Sequence, residues 1–471
     1  MRRLIPVSFL FVLSAVLFAV VRVSSQSAAG QATPVLYEGA RIIAGDGSAP
    51  IERGALVVQN GRITAIGRQG QVSAPSGARR VDLAGRTVMP ALNNVHLHIG
   101  YEGFTSWSAT NHGEANIVDH LQREAYYGVG AVMTMGDQPS AFAIGFRRNQ
   151  EVGKVAPAAR FRFAAGMAPP GGGPDSLLIQ GTTPLKAVYE ISTPDEARSA
   201  VRTIAGLKID QIKIWVDDRD AQRGSKQKMP PEVFQAIIQE AHARGILVHA
   251  HATTLPNQKA VVRAGVDVLV HTVSSERIDD EFKALLKQHK PYWAPVMGLL
   301  DTPEVCAEDN TFVLQSLPAQ TIADIRAGRN AFKLPGCDAA PAAVARREPT
   351  LSYNVPQMVQ AGARLVLATD AGVLPGYSFG WSEHHEMGLY VRLGLSPAEV
   401  LTAATSRAAE VMRLNDTGTL AAGKRADFIV LRANPLEDIR NTRSIESVYL
   451  SGAAINREQI AAVWKASYAT R

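Results

Sequence analysis

Short apolar runs alternate with helical patterns through the whole middle of this chain, and no other feature of the sequence constrains the fold so tightly. The runs occupy residues 88–98, 131–135, 160–164, 211–216, 246–251, 266–271, 291–296 and 364–370. Helical periodicity fills several of the gaps, at 117–127, 194–207, 231–244 and 258–264. One of these helices has a defined start, with Thr193 as N-cap and Glu196 as its capping-box partner. Eight strands in strand–helix alternation predict an α/β fold, a parallel (β/α)8 TIM barrel. A doubly wound open sheet is the competitor, but no glycine-rich dinucleotide fingerprint follows the first strand.

The two ends read differently. Short β patterns at 36–43, 54–59 and 62–66 are separated by turn formers, and Asn60-Gly61 is a strong two-residue hairpin signal. Residues 427–431 and 447–450 echo them near the C-terminus, with Ser451-Gly452 as a turn. The ends are expected to pair into a small β-sandwich domain, residues 32–88 with 415–471, beside a barrel of residues 89–414. Separate terminal appendages are the alternative.

Met1-Arg2-Arg3 leads into an unbroken apolar stretch, 4–21, and then into small polar residues including Ser24, Ser25 and Ser27. That is the order of a secretory signal peptide, here residues 1–25 with cleavage near Ser25-Gln26. It predicts a periplasmic or secreted protein. The stretch is long, so an uncleaved membrane anchor is the alternative. Cys306 and Cys337 are the two cysteines. In an exported protein such a pair allows a disulfide, whereas a reducing cytosol would keep both as thiols. Hydrophobic residues make up 46% and charged residues 20%, the balance of a globular chain and not of a disordered one. The net charge is +6, but the arginines are scattered and form no basic run with interleaved aromatics, so no nucleic-acid partner is expected.

In a barrel of this kind the active site lies at the C-terminal ends of the strands. His96 and His98 end the first strand, and the strand period of two places both on one face. Lys213 lies on the fourth strand, His249 and His251 end the fifth, His271 ends the sixth and Asp370 the eighth. Of eleven histidines, five sit at strand exits, while His112, His120, His242 and His289 are spread elsewhere. A lone His-x-His is as readily a packing pair as a metal site. Convergence of four strands on one mouth makes metal binding the stronger reading, because neutral imidazole and carboxylate are zinc-type ligands.

With these residues in place, the chain resembles the metal-dependent amidohydrolase superfamily. The marks are His-x-His on strand one, a strand-four lysine, histidines on strands five and six, and an aspartate on strand eight. The tail from Thr417-Gly418 through Leu420, Gly423 and Ala426-Asp427 is similar to the family's turn into its C-terminal strands. Within the superfamily the chain looks most like the imidazolonepropionase-like and prolidase-like branch, through Val248-His249-Ala250-His251, Ala264-Gly265-Val266-Asp267 and His271. The likeness runs from about Leu36 to the C-terminal strands.

The resemblance implies two divalent metal ions, zinc foremost. His96, His98 and Asp370 would hold the first and His249 and His271 the second. Lys213 would bridge them as a carbamate, because a bare ammonium only donates hydrogen bonds and repels cations. An unmodified Lys213 would be an ordinary strand-end lysine beside a single ion. His251, one pleat beyond His249, would touch substrate or support the ligands, or exchange roles with His249. The implied reaction is hydrolysis of a C–N bond in an amide, short dipeptide or cyclic amide, through attack of a metal-bound hydroxide with Asp370 as acid/base. The substrate is then a small molecule, and a homo-oligomer stays open. A lactonase, esterase or phosphotriesterase on the same scaffold is the alternative, as is a catalytically weak binding protein. The family pattern Pro-Gly-x-x-Asp-x-His-x-His is altered here, with Ala91 for the glycine and Asn94 for the aspartate. Tyr101, Phe104, Trp107, Tyr377, Phe379 and Trp381, on loops around the mouth, are expected either to line a substrate pocket or to close the barrel.

Overall fold

A strand covered on both faces is buried along its whole length, and most of the middle strands of this chain are, polar residues included. The computed structural model describes residues 33–103, 106–171, 185–216, 228–302, 304–306, 311–329, 336–373 and 377–469. The predicted signal peptide lies outside the described residues, as does Phe104 of the expected mouth loops. Among the described residues no helix is long and apolar enough to cross a membrane.

The N-terminal strands are β1 (Val35–Ile42), β2 (Ile51–Gln59), β3 (Arg62–Arg68), β4 (Arg79–Asp82) and β5 (Thr87–Pro90). The middle supplies β6 (Leu92–Leu97), β7 (Val129–Met135), β8 (Arg160–Ala168), β9 (Val188–Glu190), β10 (Gln211–Trp215), β11 (Val248–His251), β12 (Val268–Val270), β13 (Tyr292–Ala294) and β14 (Arg364–Leu365). The C-terminal strands are β15 (Phe428–Leu431), β16 (Ile445–Leu450) and β17 (Ala453–Ala454).

The middle strands run parallel in the order β6-β7-β8-β10-β11-β12-β13-β14, with β9 beside β8. The sheet then closes on itself. Val95 N–H donates to Leu367 O at 3.0 Å, His98 N–H donates to Ala371 O at 2.8 Å, and Leu97 bridges Ala371 in parallel. This is the predicted barrel, with its eighth strand drawn against the first. Every residue of β6, β7, β10, β11 and β12 is buried. On the outside, Ile117, Leu121 and Ala125 of the helix Glu114–Tyr126 join Val132 and Phe161 in one core. The predicted capping box is present: Glu196 N–H donates to Thr193 Oγ1, and Thr193 N–H donates to Glu196 Oε2, both at 3.2 Å.

Both chain ends build a second sheet, ordered β17-β16-β15-β5-β1-β2-β3 with β4 beside β1. Asn60 and Gly61 turn β2 into β3, as their dipeptide signals. The apolar run 88–98 is divided between the two sheets at Ala91. Met89 and Val88 of β5 pair with Ile429 and Val430, while Leu92 starts the barrel opposite Val129. Ala91 N–H donates to Asp427 O at 3.0 Å and Leu92 N–H to Gly128 O at 3.0 Å, so the backbone changes partners within one residue.

Cys306 and Cys337 form a disulfide across a Cα–Cα distance of 5.4 Å. Of the two states left open by the sequence, the paired one is found. The stapled segment is anchored by Val305, Val313, Leu317 and Ile322, which pack against Tyr126, Tyr127, Trp381 and Trp464. Trp464 lies on the C-terminal helix Arg457–Ala469.

One close backbone approach decides the shape of the barrel mouth. A Cβ on Gly166 of β8 would come within 2.5 Å of Gly136 O and 3.0 Å of its Cα, in the turn that leaves β7. Rigid backbone on both sides cannot give way cheaply. Gly166→Ala is therefore expected to lower stability by about 1–3 kcal/mol, the usual cost of overpacking. Urea unfolding at neutral pH reads the change, and a wild-type midpoint would show that the turn accommodates a methyl group.

Candidate metal centre

His96 and His98 project from β6 into the barrel, and Asp370 meets them from the end of the eighth strand. Their ligand-capable atoms lie within 4.8 Å of one another, and all three side chains are buried. Asp370 Oδ1 is 2.6 Å from His96 Nε2 and 3.2 Å from His98 Nε2. Yet among the described residues neither Asp370 Oδ1 nor His98 Nε2 completes a hydrogen bond. Buried polar atoms are nearly always satisfied, so lone pairs converging on one point without a donor need another partner. Two imidazole nitrogens and a carboxylate oxygen are a donor set suited to a zinc-like cation, and the residues present fit such an ion.

Backbone conformation supports the same reading. Asp370 has φ 57° and His271 has φ 72°, in the left-handed region that residues with a Cβ seldom occupy. Such strain persists where surrounding structure enforces it, and it clusters at functional sites. Around Asp370 the enforcing contacts are visible: Thr369 N–H and Asp370 N–H both donate to His96 O, at 3.1 and 3.0 Å.

The remaining predicted residues gather around this triad. Lys213 Nζ is 3.5 Å from His96 Nε2 and 5.6 Å from the ring centre of Trp215. Burial, followed by the charge of Lys213, pushes the His96 imidazole down to about 3, so the ring is held in its neutral form, the form that binds cations. His249 is likewise pushed well down by burial and by its neighbours His96 and Lys213. Its Nε2 engages Gln211 Oε1, and Gln211 Nε2 donates in turn to Val411 O. Its Nδ1 is buried with no hydrogen-bond partner among the described residues. His251 Nδ1 lies 2.7 Å from His271 Nε2, and His271 Nδ1 lies 3.9 Å from Asp370 Oδ2. Of the two strand-five histidines it is thus His251 that touches His271, while His249 turns one nitrogen towards the floor of the barrel.

Asp137, which the sequence reading passed over, follows β7 by the same strand-exit rule. Its Oδ2 is 3.3 Å from His98 Nδ1, and its Oδ1 accepts from Thr134 Oγ1 at 2.5 Å. A carboxylate on Nδ1 fixes the ring's orientation and leaves Nε2 facing Asp370. Burial works against a charged His98, but the carboxylates of Asp137 and Asp370 override it and raise the ring to about 9.

The aromatic residues mostly close the mouth. Tyr101, Phe379 and Trp381 are buried, and Tyr101 donates its hydroxyl to Asp137 O. Trp107 stacks on Tyr101 with ring centres 5.3 Å apart and donates to Gly372 O at 2.8 Å, tying the first loop to the last. His384 and His385 lie on the helix Trp381–Arg392, away from the ligands: His384 contacts Thr442 Oγ1 and Tyr127 O, and His385 contacts Asp301.

Comparison with known proteins places this geometry in context. The family described as Amidohydrolase family matches residues 87–455. An imidazolonepropionase of Deinococcus radiodurans is 27% identical over 429 residues, covering 86% of this chain and 92% of that protein. An ochratoxinase of Aspergillus niger is 24% identical over 450 residues, covering 86% of this chain and 82% of its own. Among solved structures, a Xaa-Pro dipeptidase with bound methionine in the active site superposes with a TM-score of 0.68 at 23% identity, covering 90% of this chain and 99% of its own.

Because Asp137 touches His98 on the side away from Asp370, its loss should loosen the ring without unfolding the barrel. Asp137→Ala is expected to weaken divalent-ion binding by about 10–100-fold. Chelator competition measures it, with circular dichroism as the control for folding. An affinity equal to wild type would show that Asp137 does not orient His98.

Proposed function

The chain belongs to the amidohydrolase family, hydrolases of carbon–nitrogen bonds, and we propose that it acts outside the cytoplasm on an amide, a short dipeptide or a cyclic amide. The observation that carries this reading is the buried His96–His98–Asp370 triad, in which Asp370 Oδ1 and His98 Nε2 converge and make no hydrogen bond among the described residues. These three would hold one divalent ion, zinc by donor type. His271 would hold a second with a strand-five histidine, His249 or, in exchange of roles, His251, which lies 2.7 Å from it, with Lys213 joining the two once its amine is carbamylated. The unsatisfied Nδ1 of His249 and the closeness of Lys213 to His96 support that arrangement. A divalent cation at such a site lowers the pKa of water towards neutrality and draws charge from a carbonyl oxygen.

The protein's own groups supply the rest. Asp370 stands between His96 and His271, where its carboxylate can take a proton from the attacking water and return it to the leaving nitrogen. His251, in contact with His271, is placed to orient that ring or to meet the substrate. Trp107 and Tyr101 hold the first loop against Gly372 and Asp137, so the shape of the entrance is set by packing around the triad. Similarity to an imidazolonepropionase and to a Xaa-Pro dipeptidase favours a compact substrate with an amide or cyclic-amide bond. Export is supported by the leader of residues 1–25 and by the Cys306–Cys337 disulfide, a bond that lasts in oxidising compartments.

Purified protein is expected to carry two zinc-like ions per chain, and Lys213→Ala is expected to lose the second ion together with activity. A folded, metal-free, inactive wild type would sink the reading. In a screen of N-acyl amino acids, Xaa-Pro dipeptides and cyclic amides beside lactones and aryl esters, the nitrogen compounds should turn over faster. Turnover confined to the esters and lactones would replace the amidase reading with the alternative one. Mass spectrometry of the mature protein should find its N-terminus near Gln26, and a chain starting at Met1 would count against a cleaved leader.

A further inference from the structure

Asn94 stands two residues before His96 on β6 and is fully buried. Its amide is engaged on both sides. Oδ1 accepts the His96 N–H at 2.9 Å, while Nδ2 donates to Thr369 Oγ1 at 2.8 Å and to Glu383 Oε1 at 2.5 Å. Thr369 immediately precedes Asp370 and also accepts the Ala371 N–H at 3.1 Å. One side chain therefore links the strand that carries His96 to the turn that carries Asp370, across the seam where the barrel closes. Its third partner lies on the helix Trp381–Arg392 and is buried against Glu124 of the helix Glu114–Tyr126.

Polarity decides which residue can occupy this position. Two adjacent buried carboxyls already resist ionising together, and burial pushes both upward, Glu383 to about 7 and Glu124 well above its ordinary value. A third carboxyl at position 94 would face them without a proton to donate. An amide offers two N–H donors and one acceptor, and each has a partner here.

We propose that Asn94 and Glu383 are a matched donor–acceptor pair that positions His96 against Asp370, the carboxyl group having moved from strand one to the helix behind it. Asn94 is then a requirement of this chain and not a lapse from a catalytic pattern. The inference rests on the reading that His96 and Asp370 share a metal ion. The pair also predicts its own reversal. With aspartate at 94 and glutamine at 383 the hydrogen bond survives with donor and acceptor exchanged, and the Thr369 hydroxyl can rotate to donate.

The test uses the mature protein and three variants, Asn94→Asp, Glu383→Gln and the two together, as a double-mutant cycle. Zinc affinity is measured by chelator competition, the absorption spectrum of the Co2+-substituted site reports ligand geometry, and Tm is read on metal-free samples. Asn94→Asp should weaken zinc binding at least about tenfold, the size expected for a group that orients ligands, and should alter the Co2+ spectrum. The double variant should recover most of the affinity and the wild-type spectrum. If Asn94→Asp binds zinc as wild type does, or if the double variant is no better than Asn94→Asp, the inference is overturned. Should Asn94→Asp alone fail to fold, a folded, zinc-binding double variant still supports the pairing, and an unfolded one refutes it. A wild type that binds no zinc would overturn the metal reading itself and this inference with it. That outcome is distinguishable because the control, and not the variant, fails.

Discussion

Everything at the mouth of this barrel depends on one contact, the Asp370 carboxylate set between His96 and His98. It brings the last strand to the first, and it can do so only because the barrel is closed at that point. The carbonyl of His96 receives the backbone N–H groups of both Thr369 and Asp370. That double acceptance holds Asp370 at φ 57°, a conformation of about 1–3 kcal/mol strain for a residue with a Cβ. A single oxygen within 3.2 Å of two ring nitrogens, and without a hydrogen bond among the described residues, is an arrangement that a cation would stabilise. Fold and chemistry are thus coupled, since loosening the seam would release the side chain on which the site is built.

The groups around the triad are held from behind, each from a different strand or helix. Asp137 fixes His98 from the end of β7, Gln211 fixes His249 from the start of β10, and Asn94 fixes the backbone of His96 from within β6. The partners are polar side chains that are themselves buried. In so dry a setting each hydrogen bond is strong and each unpaired group costly, so orientation is well defined. Burial also keeps His96 and His249 neutral, and neutral imidazole is the form a cation needs.

Most of this was legible from one rule applied to one pattern. The period of two places His96 and His98 on one face, and the barrel places its strand exits at one mouth, so five histidines, Lys213 and Asp370 could be assembled without coordinates. What escaped follows from where the rule stops. Asp137 lies at a strand exit like the others, but it follows the Gly136 turn after β7 as a lone carboxylate with no histidine beside it to mark the position. Glu124 and Glu383 sit on helices, where a glutamate normally reads as a solvated surface residue, and only packing shows them buried together. The change of sheet at Ala91 was hidden because β5 and β6 follow one another almost without a break and are both fully buried, and no turn signal separates them. The mouth aromatics could be counted in sequence, yet whether each faced the cavity or the packing depended on loops of no regular period.

The two departures from the family pattern turn out to have partners, which changes what they mean. Ala91 in place of glycine does not sit in the left-handed region. The smallness it would otherwise lack is found opposite, at Gly130 of β7, where an added Cβ would come within 2.9 Å of Ala91 Cβ. Asn94 in place of aspartate has lost a carboxyl, and a carboxyl is found opposite, at Glu383, 2.5 Å from its amide. In both cases the residue faces a complementary neighbour across a close contact. A motif read along one strand registers two losses, whereas the packed barrel contains two complementary pairs, one of which supports the His96 backbone directly.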